Sequence, residues 1–267
     1  NAGMTVTVAN GFGSTAAGVF LQGGSFNAIT GTVIGGPNPA DGNVIAGNNG
    51  DGIGLWENVS HTLIQNNFIG VSANGLTPLG NNAGAEGGGV ALRNWTSNNT
   101  ITDNVIAYNA PAGVRVYSGF SNRLQRNRFH DNTGLGIDLG GGGVTVNDLG
   151  DPDGTADALP FPANANRLQN FPVLSAVWID LLGGVHVTFS LDSLPANSAY
   201  PVTVEFFAAD EPVSGEGARY LGSATLSGPG SQTVNLGSFA GFTAGTAVVA
   251  TATDAAGNTS EFSRVPL

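Results

Sequence analysis

Gly113-Val114-Arg115-Val116, followed by Gly136-Ile137-Asp138-Leu139, is the stretch that decides the fold. Gly89-Val90-Ala91-Leu92, Gly52-Ile53-Gly54-Leu55 and Gly18-Val19-Phe20-Leu21 repeat it upstream. Each is a Gly followed by apolar–variable–apolar, a short strand with its two apolar residues on one face. The last three begin at 89, 113 and 136, a period of 24 and then 23 residues. The wider gaps, from 18 to 52 and from 52 to 89, imply inserted loops. A repeat of this length built from short strands marks a solenoid.

A second strand repeats in step with the first. Ile64-Gln65-Asn66-Asn67-Phe68-Ile69 returns as Ile101-Thr102-Asp103-Asn104-Val105-Ile106 and as Leu124-Gln125-Arg126-Asn127-Arg128-Phe129, with a looser form at Ile29–Ile34. Asn67, Asn104 and Asn127 occupy one repeated position, and Asn48, Asn109 and Asn132 another. Asn tolerates left-handed backbone and suits a sharp corner, and stacked Asn side chains form hydrogen-bond ladders. No amphipathic 3.6-residue pattern competes, so the reading is a parallel β-helix. Coils then stack about 4.8 Å apart, with equivalent residues directly above one another. Val19, Ile53, Val90, Val114 and Ile137 form one buried column, and Leu21, Leu55, Leu92, Val116 and Leu139 a second. Ile64, Ile101 and Leu124 form a third. The Gly before each strand keeps a side chain out of a tight corner.

The chain has 267 residues, 42 Gly, no Cys and a net charge of −11, and every basic residue is Arg. Without Cys there are no disulfides or thiolate metal sites. Strong acidity argues against nucleic-acid binding and favours divalent cations or a solvated surface. No apolar run is long enough for a membrane span. The chain begins at Asn1 with no signal-peptide pattern and reads as a mature or excised fragment. Met4–Val8 reads as a strand with nothing before it to cap the stack. That open end would suit flanking domains or head-to-tail self-association into extracellular filaments.

The period ends after Leu139, at the glycine run Gly140–Gly143. The expected organisation is a parallel β-helix over 1–145, an acidic Gly/Pro-rich linker over 146–170, and an immunoglobulin-like β-sandwich over 171–267. Strands are expected at Val173–Ile179, Val185–Leu191, Val202–Ala208, Tyr220–Leu226, Gln232–Phe239, Thr246–Thr253 and Ser260–Val265, with turns at sandwich spacing.

Several segments resemble a known family. Ile69-Gly70-Val71-Ser72-Ala73-Asn74-Gly75-Leu76-Thr77-Pro78-Leu79-Gly80-Asn81 is similar to a coil of bacterial extracellular right-handed parallel β-helix repeat proteins. Gly136–Leu139, Gly143–Asp148 and Leu168–Leu174 resemble that family's exit segment. Phe206-Phe207-Ala208, Gly215-Glu216-Gly217 and Ala252-Thr253-Asp254 through Glu261-Phe262-Ser263 resemble the immunoglobulin-like sandwich that often follows. The resemblance implies an all-β, secreted or bacterial cell-surface protein, usually one part of a longer chain. It implies no defined activity, since such coils serve adhesins, scaffolds and polysaccharide-active enzymes alike.

Three groups of residues carry candidate chemistry. Asp148, Asp151, Asp153 and Asp157, jointed by Gly150 and Gly154, have the composition of a loop offering oxygens to a structural Ca2+, without EF-hand spacing. A weaker calcium set pairs Asp254, Asn258 or Glu261 with Asp210, Glu211 or Glu216. For catalysis, the candidates are His130 with Arg126 and Asp131, together with Arg115 and Asp138. Polysaccharide lyases need a basic residue, and hydrolases need paired carboxylates around one bond. Arg115 and Asp138 share one outward position on adjacent coils, as do Asp103 and Arg126, which reads equally as cross-strand ion pairing. His61 and His186 look isolated. For carbohydrate, Trp56, Arg93 and Tyr117 share an outward position, with Trp95 beside them, a row of the kind that stacks on sugar rings. The resulting expectation is a structural or adhesive surface module, binding carbohydrate and stabilised by calcium. A polysaccharide lyase or glycoside hydrolase is the alternative.

Overall fold

The computed structural model describes residues 17–24, 26–81, 87–152, 165–211 and 215–264. Met4–Val8 lies outside the described residues. The chain is all β, and its first half winds through three parallel sheets. The first sheet stacks β1 (Val19–Gln22), β5 (Ile53–Trp56), β9 (Val90–Arg93), β12 (Val114–Val116) and β15 (Ile137–Leu139). The second stacks β3 (Val33–Gly35), β7 (Leu63–Gln65), β10 (Thr100–Thr102) and β13 (Arg123–Gln125). The third stacks β4 (Val44–Ile45), β8 (Phe68–Ile69), β11 (Val105–Ala107) and β14 (Arg128–His130). A two-residue pair, β2 (Ile29–Thr30) with β6 (Val59–Ser60), closes a corner of the early coils.

Register follows the apolar columns. Val19 pairs with Ile53, Ile53 with Val90, Val90 with Val114 and Val114 with Ile137. The Leu21 and Ile64 columns stack as expected, and Ile45, Ile69, Ile106 and Phe129 add another. Apart from Phe129 these side chains are β-branched or aliphatic, and they fill the bore as one continuous core. The glycines before the strands are needed for close approach, not for left-handed backbone. A Cβ at Gly52 would lie 2.5 Å from the carbonyl oxygen of Gly89, and one at Gly113 would lie 2.7 Å from that of Gly136. Coil spacing leaves no room for a methyl group there.

The corners are held by three ladders of amides, buried except at exposed Asn43 and half-buried Asn132, each side chain accepting from the residue one coil before. In the first, Asn43 donates to Asn67, Asn67 to Asn104, and Asn104 to Asn127. The second runs Asn48, Asn81, Asn109, Asn132. The third joins Thr62 to Asn99 through its backbone N–H, and Asn99 to Asn122. In each case the acceptor also takes the backbone N–H of its donor residue, which satisfies corner groups that no sheet ladder reaches.

Two antiparallel sheets follow. One orders β16 (Val173–Ile179), β17 (Val185–Leu191) and β20 (Gly230–Asn235); the other orders β19 (Gly217–Leu226), β18 (Val202–Ala209) and β21 (Val248–Thr253). Inward residues of both, including Val187, Phe189, Val204, Phe206 and Ala250, share one core. The seventh expected strand, Ser260–Val265, is not a ladder strand over its described residues. Ser260 and Ser263 donate backbone N–H to Ala252 and Ala250, but their hydroxyls also accept the N–H groups of those residues. Thr259 and Glu261 meanwhile reach back to the last coil.

That last contact joins the two halves. Phe262 packs edge-on against Phe129 (centroids 5.4 Å apart) and Phe207 (5.5 Å), so the coil core runs on into the C-terminal unit. Residues expected as a linker are packed rather than solvated: Ala165, Asn166, Gln169 and Asn170 are buried. Asn166, Arg167 and Leu168 form a turn with three successive positive φ angles. It aims the Asn166 side chain at Asn122.

Candidate functional site

The last coil presents a row of backbone N–H groups with no further coil to accept them. The segments that follow the coils supply the acceptors. Asn258 Oδ1 accepts from the N–H of Ser121 (2.7 Å), Asn166 Oδ1 from Asn122 (3.0 Å) and Thr259 Oγ1 from Leu124 (2.9 Å). Glu205 accepts from the N–H of Arg126 at 2.9 Å. Glu216 takes both the N–H and the side-chain amide of Asn132, at 3.0 and 2.9 Å, and so ends the second Asn ladder. At the far corner Glu261 accepts from the N–H of Leu139 and of Thr145, each 2.9 Å. An amide ladder is thus closed at its end by a carboxylate.

Burial makes this closure electrostatically unusual. Glu205, Glu216 and Glu261 are only 4%, 1% and 3% exposed. Desolvation pushes Glu205 up to about 7, against the pull of the Arg126 N–H and guanidinium. The same cause raises Glu216 to about 8, with Asp210 adding to it, and Glu261 to about 7, with Asp138 adding to it. The weaker calcium set named from the sequence is therefore distributed among other tasks. Glu216, Glu261 and Asn258 close the coil. Asp254 accepts from the backbone (2.7 Å) and side chain (3.0 Å) of Asn258, and Asp210 accepts from the N–H groups of Asp131 and Glu211.

The structure brings Trp56, Arg93 and Tyr117 together on the outer face of the first sheet. Arg93 is 6% exposed and grips Asp51 through both terminal nitrogens, at 2.5 and 3.3 Å. Its guanidinium carbon lies 5.6 Å from the Trp56 ring centre and 5.1 Å from that of Tyr117. The guanidinium carbon of Arg115 also lies over Tyr117, 4.9 Å from its ring centre, and Arg115 pairs with Asp138 at 2.9 Å. Burial raises both Asp51 and Asp138 above their ordinary values despite the guanidinium partners. The row is therefore a cation–π stack in which buried guanidinium groups, tied down by carboxylates, lie against half-buried rings. Trp95, by contrast, is 44% exposed on left-handed backbone.

Arg126 forms a two-pronged pair with Asp103, at 2.8 and 2.9 Å, on an exposed surface. His130 Nδ1 lies 2.8 Å from Asp131 and its ring meets Tyr108 edge-on at 5.5 Å. His186, which looked isolated, is not: Nε2 meets Asp180 at 2.8 Å and the ring stacks on Trp178 at 5.0 Å. Of the acidic segment, Asp153 and Asp157 lie outside the described residues. Asp151 is buried and accepts from Gln169 (2.8 Å), Ser193 (2.6 Å), Ser198 (2.9 Å) and the N–H of Asn170 (3.3 Å). Asp148 exchanges hydrogen bonds with Asn170 through its backbone. Among the described residues no three His, Asp or Glu side chains are arranged to hold a metal ion, and no helix is long and apolar enough to cross a membrane.

Sequence reasoning missed Asn81 and the Asn99–Asn122 ladder. Asn99 and Asn122 do carry the 23-residue spacing, so that signal was present. Asn81 sits 33 residues after Asn48 and 28 before Asn109, displaced by the Gly70–Gly80 insertion. The closing residues Asn166, Glu205 and Glu216 lie outside the repeat and have no period to betray them.

A family model described as right handed beta helix region matches residues 1–149. No curated protein matches the chain. With three parallel sheets stacked in register over that span, the chain belongs to the right-handed β-helix family.

Proposed function

We propose that this chain is a structural or adhesive module of a secreted or surface-displayed bacterial protein: a rigid β-helix closed by an immunoglobulin-like β-sandwich. The observation that carries this reading is the pairing of charge across coils. Arg93 with Asp51, Arg115 with Asp138 and Arg126 with Asp103 are each held carboxylate to guanidinium, which suits cohesion of a rod better than proton transfer on a substrate. The shared core between the two antiparallel sheets supports the sandwich assignment. Carbohydrate belongs to the same proposal through Trp95, which offers an exposed ring beside the Trp56–Arg93–Tyr117 row. A structural calcium ion at Asp148–Asp157 is supported by the acidity of that segment alone, since Asp151 already accepts from four protein donors.

The deciding experiment measures reducing-end release and unsaturated-product absorbance on a panel of acidic and neutral polysaccharides, with calcium present. No turnover, with retention on one of those polysaccharides that Trp95→Ala weakens, is the expected result. Turnover on any substrate, lost in His130→Ala or Arg126→Ala, would replace this reading with a polysaccharide lyase or hydrolase. Calcium is tested by melting with and without chelator: bound ion stabilises the native state, so the transition should fall in chelator.

A further inference from the structure

We propose that Glu205, Glu216 and Glu261 form a proton-loaded clamp that holds the C-terminal unit on the last coil, tightening in acid and loosening as the pH rises past neutrality. The geometry sets three carboxyl groups, all buried, onto one edge of the solenoid: Glu216 takes the place of an Asn of the second ladder, and Glu205 and Glu261 the places of neutral backbone carbonyls that join the earlier coils. Amide–amide contact between coils costs no charge. Here each ionised carboxyl group places a negative charge in the junction, far from water.

Each site also has a place for the proton. Glu205 receives the Arg126 N–H on Oε2, leaving Oε1 to carry a hydrogen. Glu216 faces Asp210, which is able to share a proton with it. The Thr145 hydroxyl lies within reach of both Glu261 (3.3 Å) and the carbonyl of Leu139 (3.2 Å); its one hydrogen serves the carbonyl when Glu261 is neutral, which frees its oxygen to accept from the carboxyl group. The surrounding charges do not neutralise the set. Arg126 and Arg123 face Glu205 together with Asp103, and Arg126 is already committed to Asp103. Asp210 faces Glu216, while Arg128 is held on the carbonyl of Ala218. Asp138 faces Glu261, with Arg115 taken by Asp138.

The sign follows from proton linkage. Folding raises all three groups above the ordinary glutamate value, so the folded chain binds more protons than the unfolded one. Their contribution is fully present below the unfolded value of 4.5 and is lost as the pH rises through about 7 to about 8.

The test is amide hydrogen exchange on the full chain from about pH 5 to about pH 9, with rates corrected for intrinsic pH dependence. The N–H groups of Arg126, Asn132, Leu139 and Thr145 are compared with those of Asn67 and Asn104 in the middle of the stack. Protection at the junction should fall about tenfold or more across this range while the mid-stack amides keep theirs. Equal loss at both places, or none at the junction, would overturn the clamp. Glu216→Gln, which keeps one acceptor oxygen and cannot ionise, should flatten the pH dependence at Asn132. A Glu216→Gln profile as steep as that of the unaltered chain would also count against it. If that variant does not fold, the exchange profile of the unaltered chain still decides.

Discussion

An interior corner and the terminal corner of this solenoid solve the same problem with different chemistry. At Asn104 a neutral amide accepts the N–H and side-chain amide of Asn67, and donates to Asn127 and to the carbonyls of Ile64 and Thr102. At Asn132 the same two donors meet Glu216. An amide both accepts and donates, so it can be copied coil after coil. A carboxylate only accepts, so it ends the series. Repetition favours Asn, and termination admits Glu, whose burial opposes its charge.

The sharpest way to break the interior corner is Asn104→Ala. It strands the two donors of Asn67 and the carbonyls it served, in a fully buried site. With each unsatisfied buried group costing about 1–3 kcal/mol, the total should reach about 4–6 kcal/mol. Urea unfolding of Asn104→Ala beside Asn43→Ala checks this, because Asn43 sits at the exposed start of the same ladder and should lose only about 1 kcal/mol. Equal losses would mean that ladder position does not matter.

On the outer face, Arg93→Ala should cost about 3–5 kcal/mol, since it leaves Asp51 buried without its partner. Asp51 would then favour protonation still more strongly. The variant should accordingly recover stability as the pH falls, a trend readable in melting temperature against pH. At the terminal corner Glu216→Ala should cost less, about 2–4 kcal/mol, because only the two donors of Asn132 are stranded. A loss larger than that of Asn104→Ala would reverse the ranking of interior over end.

The contrast also explains what could be read beforehand. Val114 and Ile137, or Asn104 and Asn127, announce themselves because each coil repeats the same need at the same spacing. The apolar columns and the Arg115–Asp138 and Arg126–Asp103 pairs were all visible in this way, while the strands Val173–Ile179 and Val185–Leu191 showed through alternation and flanking turns. Closure was not. Glu205 lies 79 residues beyond Arg126 and Glu261 122 beyond Leu139, so each is a single long-range contact with no periodic echo. Glu216 and Glu261 stood out as acidic residues and as parts of segments resembling a sandwich domain, and neither signal pointed to the hydrogen bonds they accept from the last coil. The Trp56–Arg93–Tyr117 row was visible as an alignment, but the burial of Arg93 was not, because alignment reveals who shares a face and not how deeply each residue is covered.

The smallest effect belongs to Arg126 and Asp103, which share the cross-coil geometry of Arg115 and Asp138 but not its burial. Both side chains are substantially exposed, at 55% and 35%. Partial burial tends to raise Asp103, but hydrogen bonds from Arg126 and Thr102 hold it below its ordinary value. A depressed carboxylate adds stability above its unfolded value of 3.8 and loses it as the pH falls through its lower folded value. Water and salt screen such a pair, so Arg126→Ala should cost at most about 1 kcal/mol, less at high ionic strength. A double-mutant cycle with Asp103→Ala, measured at low and high salt, isolates the pair. A coupling as large as that of Arg93 with Asp51 would show that register across coils, rather than removal from water, sets the strength of these pairs.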